Sequence, residues 1–196
     1  INNTGGSGTG ANAAGISVRS SYFAAKFDGL EVSNSTGPGV FAINGGAIQG
    51  NDWNLHHNSQ EGFYLESAAT IVDGLNLHNN SDSGVHIDDA RYVFLSNLTS
   101  SLNGDAGLEF NRANDIESSS GDVRCTHCSS NGDNRGVVAI DSVDIFLTDL
   151  EINDPVTGPA ISINNSGLDL GVQGGMFHLN DVEIWTNHSG PAVDIT

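Results

Sequence analysis

Three pairs of side chains suited to acid–base or binding chemistry recur in this sequence at intervals of 22 and 23 residues. The pairs are Tyr64 with Glu66, His86 with Asp88, and Glu109 with Asn111. Side chains two residues apart in a β-strand point to the same face. If the three segments are adjacent parallel strands, the pairs form one surface, with His86 about 5 Å from both Tyr64 and Glu109.

Such a surface would hold several carboxylates close together. Neighbouring carboxylates share a proton, bind a cation such as Ca²⁺, or accept hydrogen bonds from sugar hydroxyls. Glycosidases use two acids about 5 to 9.5 Å apart. The alternative is a solvated polar face that only prevents aggregation. The catalytic candidates are His86, Asp88, Glu66 and Glu109, and the ligand-binding candidates are Tyr64, Glu66, His86, Asp88, Asp89, Arg91, Glu109, Asn111 and Arg112.

Histidines and cysteines form two smaller groups. His56 and His78 occupy equivalent places in successive repeats, with His57 beside them. A metal site needs three or four converging ligands, so we interpret these histidines as stacked neighbours and predict no metal site. Cys125 and Cys128 have CxxC spacing, but no second such pair follows. We expect a local disulfide or two ordinary thiols, not a zinc or redox centre.

Two Asn-Gly-Asp sequences, ending at Asp105 and Asp133, are typical turn signals. Calcium binding by either aspartate is the lesser alternative. We predict no other cofactor.

The candidate residues belong to a repeat. A small residue precedes each alternating segment, first at intervals of 22 to 24 residues and later at longer ones that indicate loop insertions. Apolar residues one and three places after this mark predict an inward-facing strand. Two further strands are predicted in each unit, one around Leu30, Trp53, Leu75 and Leu98, and one beginning near Thr70, Arg91 and Val143. A single unit cannot bury its apolar side chains, so the units must stack. The marks are Gly15, Gly39, Gly62, Gly84, Gly107, Gly136, Ala160 and Ala192.

A polar turn containing Asn precedes most marks. Asn tolerates the left-handed backbone conformation, and its amide can hydrogen-bond to an equivalent Asn one coil above. This predicts an Asn ladder. The expected members are Asn34, Asn79, Asn131 and Asn187, with Asn58, Asn80 and Asn103 one place along.

With this repeat and ladder, the chain resembles the right-handed parallel β-helix family, the fold of pectate lyases, alginate epimerases and phage tailspikes. The resemblance implies an all-β solenoid of about seven coils over residues 15–196, preceded by a Gly/Asn/Ser-rich arm over residues 1–14. An antiparallel β-sandwich is the alternative, but it gives no reason for an Asn column.

The resemblance also implies where a lyase-like site would lie. Enzymes of this kind hold calcium with clustered acids beside a base that abstracts a proton. Asp88, Asp89 and Glu66 could supply the acids, and Arg91 or Arg112 the base, although no motif of the family is matched. The single lysine, Lys26, lies elsewhere, so few basic side chains are near the candidate site to bind an acidic glycan. Catalysis is therefore not favoured.

The amino-acid composition limits which classes of molecule the protein could bind. Twenty-four acidic and six basic residues give a formal charge of -18, which repels nucleic acid and anionic membranes. No apolar run is long enough to insert into a bilayer. We therefore expect an extracellular, cell-surface or virion-surface protein, with glycosylation possible at Asn-x-Ser/Thr sequences. Those asparagines are Asn2, Asn34, Asn79, Asn97, Asn164 and Asn187.

The first and last residues suggest a role for the ends of the solenoid. The sequence stops within a predicted strand, and an uncovered strand edge recruits other chains. We expect a structural or adhesive module that stacks end to end on copies of itself or forms part of a larger spike. The alternative is a protein that binds or cleaves polysaccharide as a lyase, hydrolase or epimerase.

Overall fold

The computed structural model describes residues 13–19, 24–44, 47–113, 123–164, 177–186 and 191–196. These residues form strands and turns and contain no helix. The predicted arm, residues 1–14, lies outside the described residues apart from its last two positions. The strands are β1 (Ile16–Arg19), β2 (Ala25–Asp28), β3 (Glu31–Ser33), β4 (Val40–Ile43), β5 (Ala47–His56), β6 (Phe63–Glu66), β7 (Ala69–His78), β8 (Val85–Asp88), β9 (Val93–Ser101), β10 (Ala106–Asn111), β11 (Val123–Asn131), β12 (Arg135–Ile140), β13 (Ile145–Asn153), β14 (Ile161–Asn164), β15 (Phe177–Trp185) and β16 (Val193–Ile195).

All the pairings among these strands are parallel, and each strand pairs with its equivalent one coil away. The short strands form one sheet in the order β1-β4-β6-β8-β10-β12-β14-β16. The long strands form a second sheet in the order β15-β13-β11-β9-β7-β5, continued by β2 and β3. The predicted parallel solenoid is therefore confirmed.

Each long strand bends in the middle, at a residue in the left-handed conformation. In the ladder between β5 and β7, Asn51 pairs with Asp73 and Trp53 pairs with Leu75. The residues between these pairs, Asp52 (φ 56°) and Gly74 (φ 75°), are left-handed and are not paired in the ladder. The second and third predicted strands of each unit thus join into one bent strand. Only Gly adopts this conformation without steric cost, but Asn and Asp tolerate it best among the other residues.

The core is a set of apolar columns inside the coils. Residues one and three places after each mark point inward, as predicted: Phe63, Leu65, Val85 and Ile87 are 0% exposed. Trp53 is also buried, and its indole N–H donates to the carbonyl of Phe27 at 2.8 Å. None of the described residues forms a helix long and apolar enough to span a membrane.

The glycine marks allow neighbouring coils to approach closely at a turn. A Cβ on Gly62 would lie 2.7 Å from a methyl of Leu77 and 2.9 Å from the carbonyl oxygen of Gly84. Real Cβ atoms essentially never come so near other heavy atoms. Gly62 is therefore needed for space, and its φ is not in the left-handed region.

The predicted Asn ladder forms in only one of the two expected columns. Asn58, Asn80 and Asn103 are buried, and each donates its backbone N–H and its side-chain amide to the next side chain above, at 2.8 to 3.1 Å. The series ends at the buried carboxylate of Asp133, which also accepts from the Ser130 hydroxyl at 2.7 Å. An Asp can replace Asn at the last position of the ladder, because its carboxylate accepts hydrogen bonds from the same backbone N–H and side-chain amide groups.

The other expected column has a different role. Asn34 and Asn79 are exposed and left-handed, with φ of 57° and 55°, so they turn the chain just before the ladder position. Asn131 ends β11, and Gly132 takes the left-handed position. Placing Asn34, Asn79 and Asn131 in the ladder was therefore wrong, because one residue must turn the backbone before the next can point inward. Asn187 lies outside the described residues.

We expect Asn80→Ala to lower the free energy of unfolding by about 3 kcal/mol. The change leaves the buried amide of Asn58 without its acceptor and the oxygen of Asn103 without one of its donors. Urea unfolding followed by circular dichroism measures the loss. Asn76→Ala is the matched control: its amide donates to Asn54 one coil away, but on the exposed surface, so the expected change is within about 0.5 kcal/mol. Equal effects of the two substitutions would contradict a stabilising role for the buried ladder.

Candidate functional site

The short-strand sheet brings together the chemically capable residues predicted from the sequence. In the ladder, His86 lies between Tyr64 and Glu109, and Asp88 lies between Glu66 and Asn111. Both columns point away from the core, because the alternate residues of the same strands are buried inside it. The predicted surface therefore exists as one continuous patch.

This patch is more shielded from solvent than an ordinary polar sheet face. The side chains of Asp88, Glu109 and His86 are only 14%, 15% and 17% exposed, and the outward-facing positions on either side, Phe41 and Val138, are buried. A solvated face would leave charged side chains mostly exposed. We call this patch the acidic recess; its members are Glu61, Tyr64, Glu66, His86, Asp88 and Glu109.

The imidazole of His86 faces two carboxylates in the recess. Its Nδ1 lies 3.6 Å from Oε2 of Glu109 and 3.7 Å from Oε1 of Glu61. Glu109 also accepts a hydrogen bond from the Ser83 hydroxyl at 2.7 Å, which fixes its orientation. The other ring nitrogen, Nε2, is buried and has no hydrogen-bond partner within the described part of the chain.

Sequence reasoning missed Glu61 and Ser83. Glu61 comes immediately before the Gly62 mark and Ser83 immediately before Gly84, at turn positions where strand alternation predicts no direction. The sequence did show one relevant feature: Glu61 is an acid directly before a strand of the candidate surface. In the structure, packing between coils turns the Glu61 side chain, which is 10% exposed, towards His86.

Burial raises the pKa of the Glu61 carboxyl above its ordinary value, and the negative charges of Asp82 and Glu109 raise it further. A hydrogen bond from its own backbone N–H and the nearby His86 oppose this shift but do not cancel it. Glu61 therefore holds a proton to higher pH than an exposed glutamate does. A carboxyl of this kind is suited to donate a proton.

The second half of the recess is centred on the phenol of Tyr64. Its hydroxyl lies 3.4 Å from both Glu66 and Asp88. Burial, and then the charges of the neighbouring acids, raise the Tyr64 pKa, so the hydroxyl stays protonated and donates. Arg112 forms an ion pair with Asp88 at 2.8 Å. The Tyr64 ring stacks on Phe41, with ring centroids 5.0 Å apart, and contacts His86 on its other side.

The remaining ligand-binding candidates fall into other surroundings. Asp89 and Arg91 line a separate shallow cavity of about 360 Å³ at the turn after β8, with Ser67 and Tyr92. Asn111 lies beside Asp88 in the ladder at the edge of the recess. Of the two calcium alternatives, Asp105 forms an ion pair with Arg135, and Asp133 is buried in the Asn ladder.

The cysteine and glycosylation candidates lie outside the recess. Cys125 and Cys128 form a disulfide between two buried positions on either side of the bend in β11, which resolves the choice between a bridge and two thiols. Four asparagines of the Asn-x-Ser/Thr sequences are exposed, and the other two, Asn2 and Asn187, lie outside the described residues. The exposed ones are Asn34, Asn79, Asn97 and Asn164.

We expect Glu61→Gln to change how stability depends on pH. Because the Glu61 pKa is higher in the folded than in the unfolded protein, the wild type loses stability as pH rises from the unfolded to the folded pKa. The variant has no charge to bury, so its unfolding free energy relative to wild type should increase over that interval. Urea unfolding at a series of pH values from 4 to 8 measures this.

Glu151→Gln, on the exposed outer face of β13, is the control for this measurement and should show no such trend. A difference between Glu61→Gln and wild type that stayed constant across the pH series would contradict the raised pKa.

Comparison with known proteins agrees with the geometry of the coils. The family model described as "Right handed beta helix region" matches residues 14–189. Searches of curated proteins and of solved structures gave no match. The family match spans nearly all the stacked strands, with the recess in their middle. Since the matched segment and the parallel pairing coincide, this chain belongs to the right-handed β-helix family.

Proposed function

We propose that the protein binds a polysaccharide in the acidic recess. The observation that supports this most is the shielding of outward-facing charged side chains: Asp88 and Glu109 are only 14% and 15% exposed. Shielding charge from water costs free energy, so a purely solubilising face would not be expected to do it. A binding site benefits, because hydrogen bonds to shielded carboxylates are stronger than those to solvated ones.

The charge of the recess favours a particular class of sugar. The carboxylates of Glu66, Asp88 and Glu109 outnumber the one arginine beside them, Arg112, which pairs with Asp88, so an acidic polysaccharide would meet like charge. Neutral sugars bring hydroxyl donors to these carboxylates, and amino sugars add a positive charge. We therefore propose a neutral or amino-sugar polymer, lying along the column of stacked coils.

The same residues have the composition required for cleavage of a glycosidic bond. Glu61 holds a proton through its raised pKa, and Glu109 is a second carboxylate on the same imidazole nitrogen. Both carboxyl groups lie within 3.7 Å of Nδ1 of His86, and glycosidases likewise use a pair of carboxyl groups. In this reading Glu61 is the proton donor and Glu109 the base or nucleophile.

Two features support an extracellular setting for this function. The disulfide between Cys125 and Cys128 is of a kind that persists in oxidising compartments. Exposed Asn-x-Ser/Thr sequences, such as those at Asn34 and Asn97, are accessible to glycosylation.

Polysaccharide binding is tested with an array of neutral, amino-sugar and acidic polymers, with release of reducing ends measured in parallel. The wild type should retain neutral or amino-sugar polymers and not acidic ones. Glu109→Gln keeps the shape of the side chain and the acceptor for Ser83, but removes the charge. It should weaken binding about 10- to 100-fold, as expected for losing a hydrogen bond to a charged group.

Glu151→Gln on the other sheet is the matched control and should bind as the wild type does. Binding that Glu109→Gln and His86→Asn leave unchanged would exclude the recess as the site, and a preference for acidic polymers would contradict the proposed class of sugar.

Association between copies of the chain is a second candidate, supported by exposed apolar side chains in β15 and β16. Val193 and Ile195 in β16 continue the columns of Ile161 and Ile163, yet they are 41% and 70% exposed where their partners are buried. Trp185, in β15, is 62% exposed. We propose that a second copy of the chain packs against these exposed side chains, because its own coils have strands with matching spacing and apolar columns.

We expect sedimentation velocity to show larger species as protein concentration and salt increase, because salt screens the repulsion between copies that carry a charge of -18. Ile195→Asp should abolish these species, since it places a charge among the exposed apolar side chains of β16. Ile71→Asp is the control, because Ile71 is similarly exposed, at 54%, but lies on the side of the coils. A protein that stays monomeric at every concentration and salt would overturn this candidate.

A further inference from the structure

We propose that His56, His57 and His78 form a binding site for a divalent transition-metal ion of the Zn²⁺, Cu²⁺ or Ni²⁺ class. The site lies at the end of the long strands, on the turn that precedes the Asn ladder. It is separate from the acidic recess and does not depend on the polysaccharide proposal. Imidazole nitrogens are preferred ligands for these metals, and three histidines with an open fourth position are an established zinc arrangement.

Two of the three histidines are brought together by the stacking of coils. His56 and His78 are partners in the ladder between β5 and β7, and their rings stack with centroids 4.7 Å apart and planes 3° from parallel. This confirms the stacking that the sequence indicated. Stacking alone gives two ligands, which is too few for a stable site.

The third histidine converges because of the backbone turn. His57 has a φ of 54°, and the left-handed conformation points its ring back across the column instead of along the strand. Its ring lies edge-on to both His56 and His78, at centroid distances of 5.1 Å and 5.8 Å. Sequence spacing could not indicate this, because consecutive residues of a regular strand point to opposite faces.

The ligand atoms are close to the separations that a metal imposes. One nitrogen from each ring can be chosen so that all three lie within 4.8 Å of one another, and Nδ1 of His56 is 2.8 Å from Nδ1 of His57. Two nitrogens bound tetrahedrally to zinc are about 3.4 Å apart, since each Zn–N bond is about 2.1 Å. To bind one ion, the stacked rings of His56 and His78 must rotate out of parallel, because the lone pair of each nitrogen lies in the plane of its ring.

The surroundings resemble the outer shell of a metal site. Oε1 of Glu31, one coil below, lies 3.4 Å from Nε2 of His56, the nitrogen opposite the one facing His57. A carboxylate in this position orients a ligating histidine and increases its basicity. His78 is partly buried and lies near the two other imidazoles.

Isothermal titration calorimetry with Zn²⁺ alone tests the site on the full chain. We expect one ion per chain and a rise in melting temperature with Zn²⁺, because an ion held between two coils binds the folded state. Co²⁺ should give the visible absorption of a tetrahedral complex with nitrogen ligands.

The variants use residues that neighbouring coils already have at the same positions, so folding is preserved. His57→Asn introduces the residue found at Asn34 and Asn79, and His78→Ser the residue found at Ser33 and Ser101. Each should weaken Zn²⁺ binding by on the order of 100-fold and remove the thermal shift, since even outer-shell changes cost 10- to 100-fold.

His127→Asn is the matched control, because His127 is also left-handed, with a φ of 53°, but lies beside Asp149 and away from the cluster. It should leave Zn²⁺ binding unchanged. The proposal is overturned if Zn²⁺ does not bind at one saturable site, or if binding persists in His57→Asn and His78→Ser, as it would for ions held by the acidic surface.

Discussion

Parallel hydrogen bonding between successive coils, in a register that does not slip, is the constraint on which the whole structure depends. Each strand places its residues directly above those of the strand 22 to 32 residues earlier, as Val85 lies above Phe63 and below Leu108. Equivalent residues of successive coils therefore lie about 5 Å apart, one above the other. Apolar residues become continuous core columns, and an amide able to bond to its own kind becomes a ladder.

The turns keep this register because two adjacent positions have different tasks. One residue adopts the left-handed conformation and reverses the chain direction, and the next points inward to bond with the coil above. Asn79 and Asn80 show the division within a single pair of identical residues. Since the turning residue needs only a tolerable φ, it can vary to Asn, His or Gly, as at Asn34, His57 and Gly132. That freedom is what allows a histidine to be placed there.

In both proposed sites, most residues are ladder neighbours in one column, and one residue joins them from a turn. In the acidic recess, Tyr64, His86 and Glu109 are ladder neighbours, whereas Glu61 joins them from a turn. In the histidine cluster, His56 and His78 are ladder neighbours, whereas His57 joins them from a turn. A column alone supplies groups at one repeated spacing. The residue from the turn supplies the third direction that a bound ligand or ion needs.

The sequence by itself determined the solenoid, the inward and outward faces, and the neighbours of each strand residue, because a period of 22 to 24 residues and strand alternation are linear properties. It therefore predicted the column of Tyr64, His86 and Glu109 and the stacking of His56 on His78. Only the tertiary structure decided which Asn column forms the ladder, how far Glu109 and His86 are shielded, and where Glu61 and His57 point. The physical reason is that side-chain direction in a turn depends on φ and on packing against other coils, and neither follows from the spacing of residues along the chain.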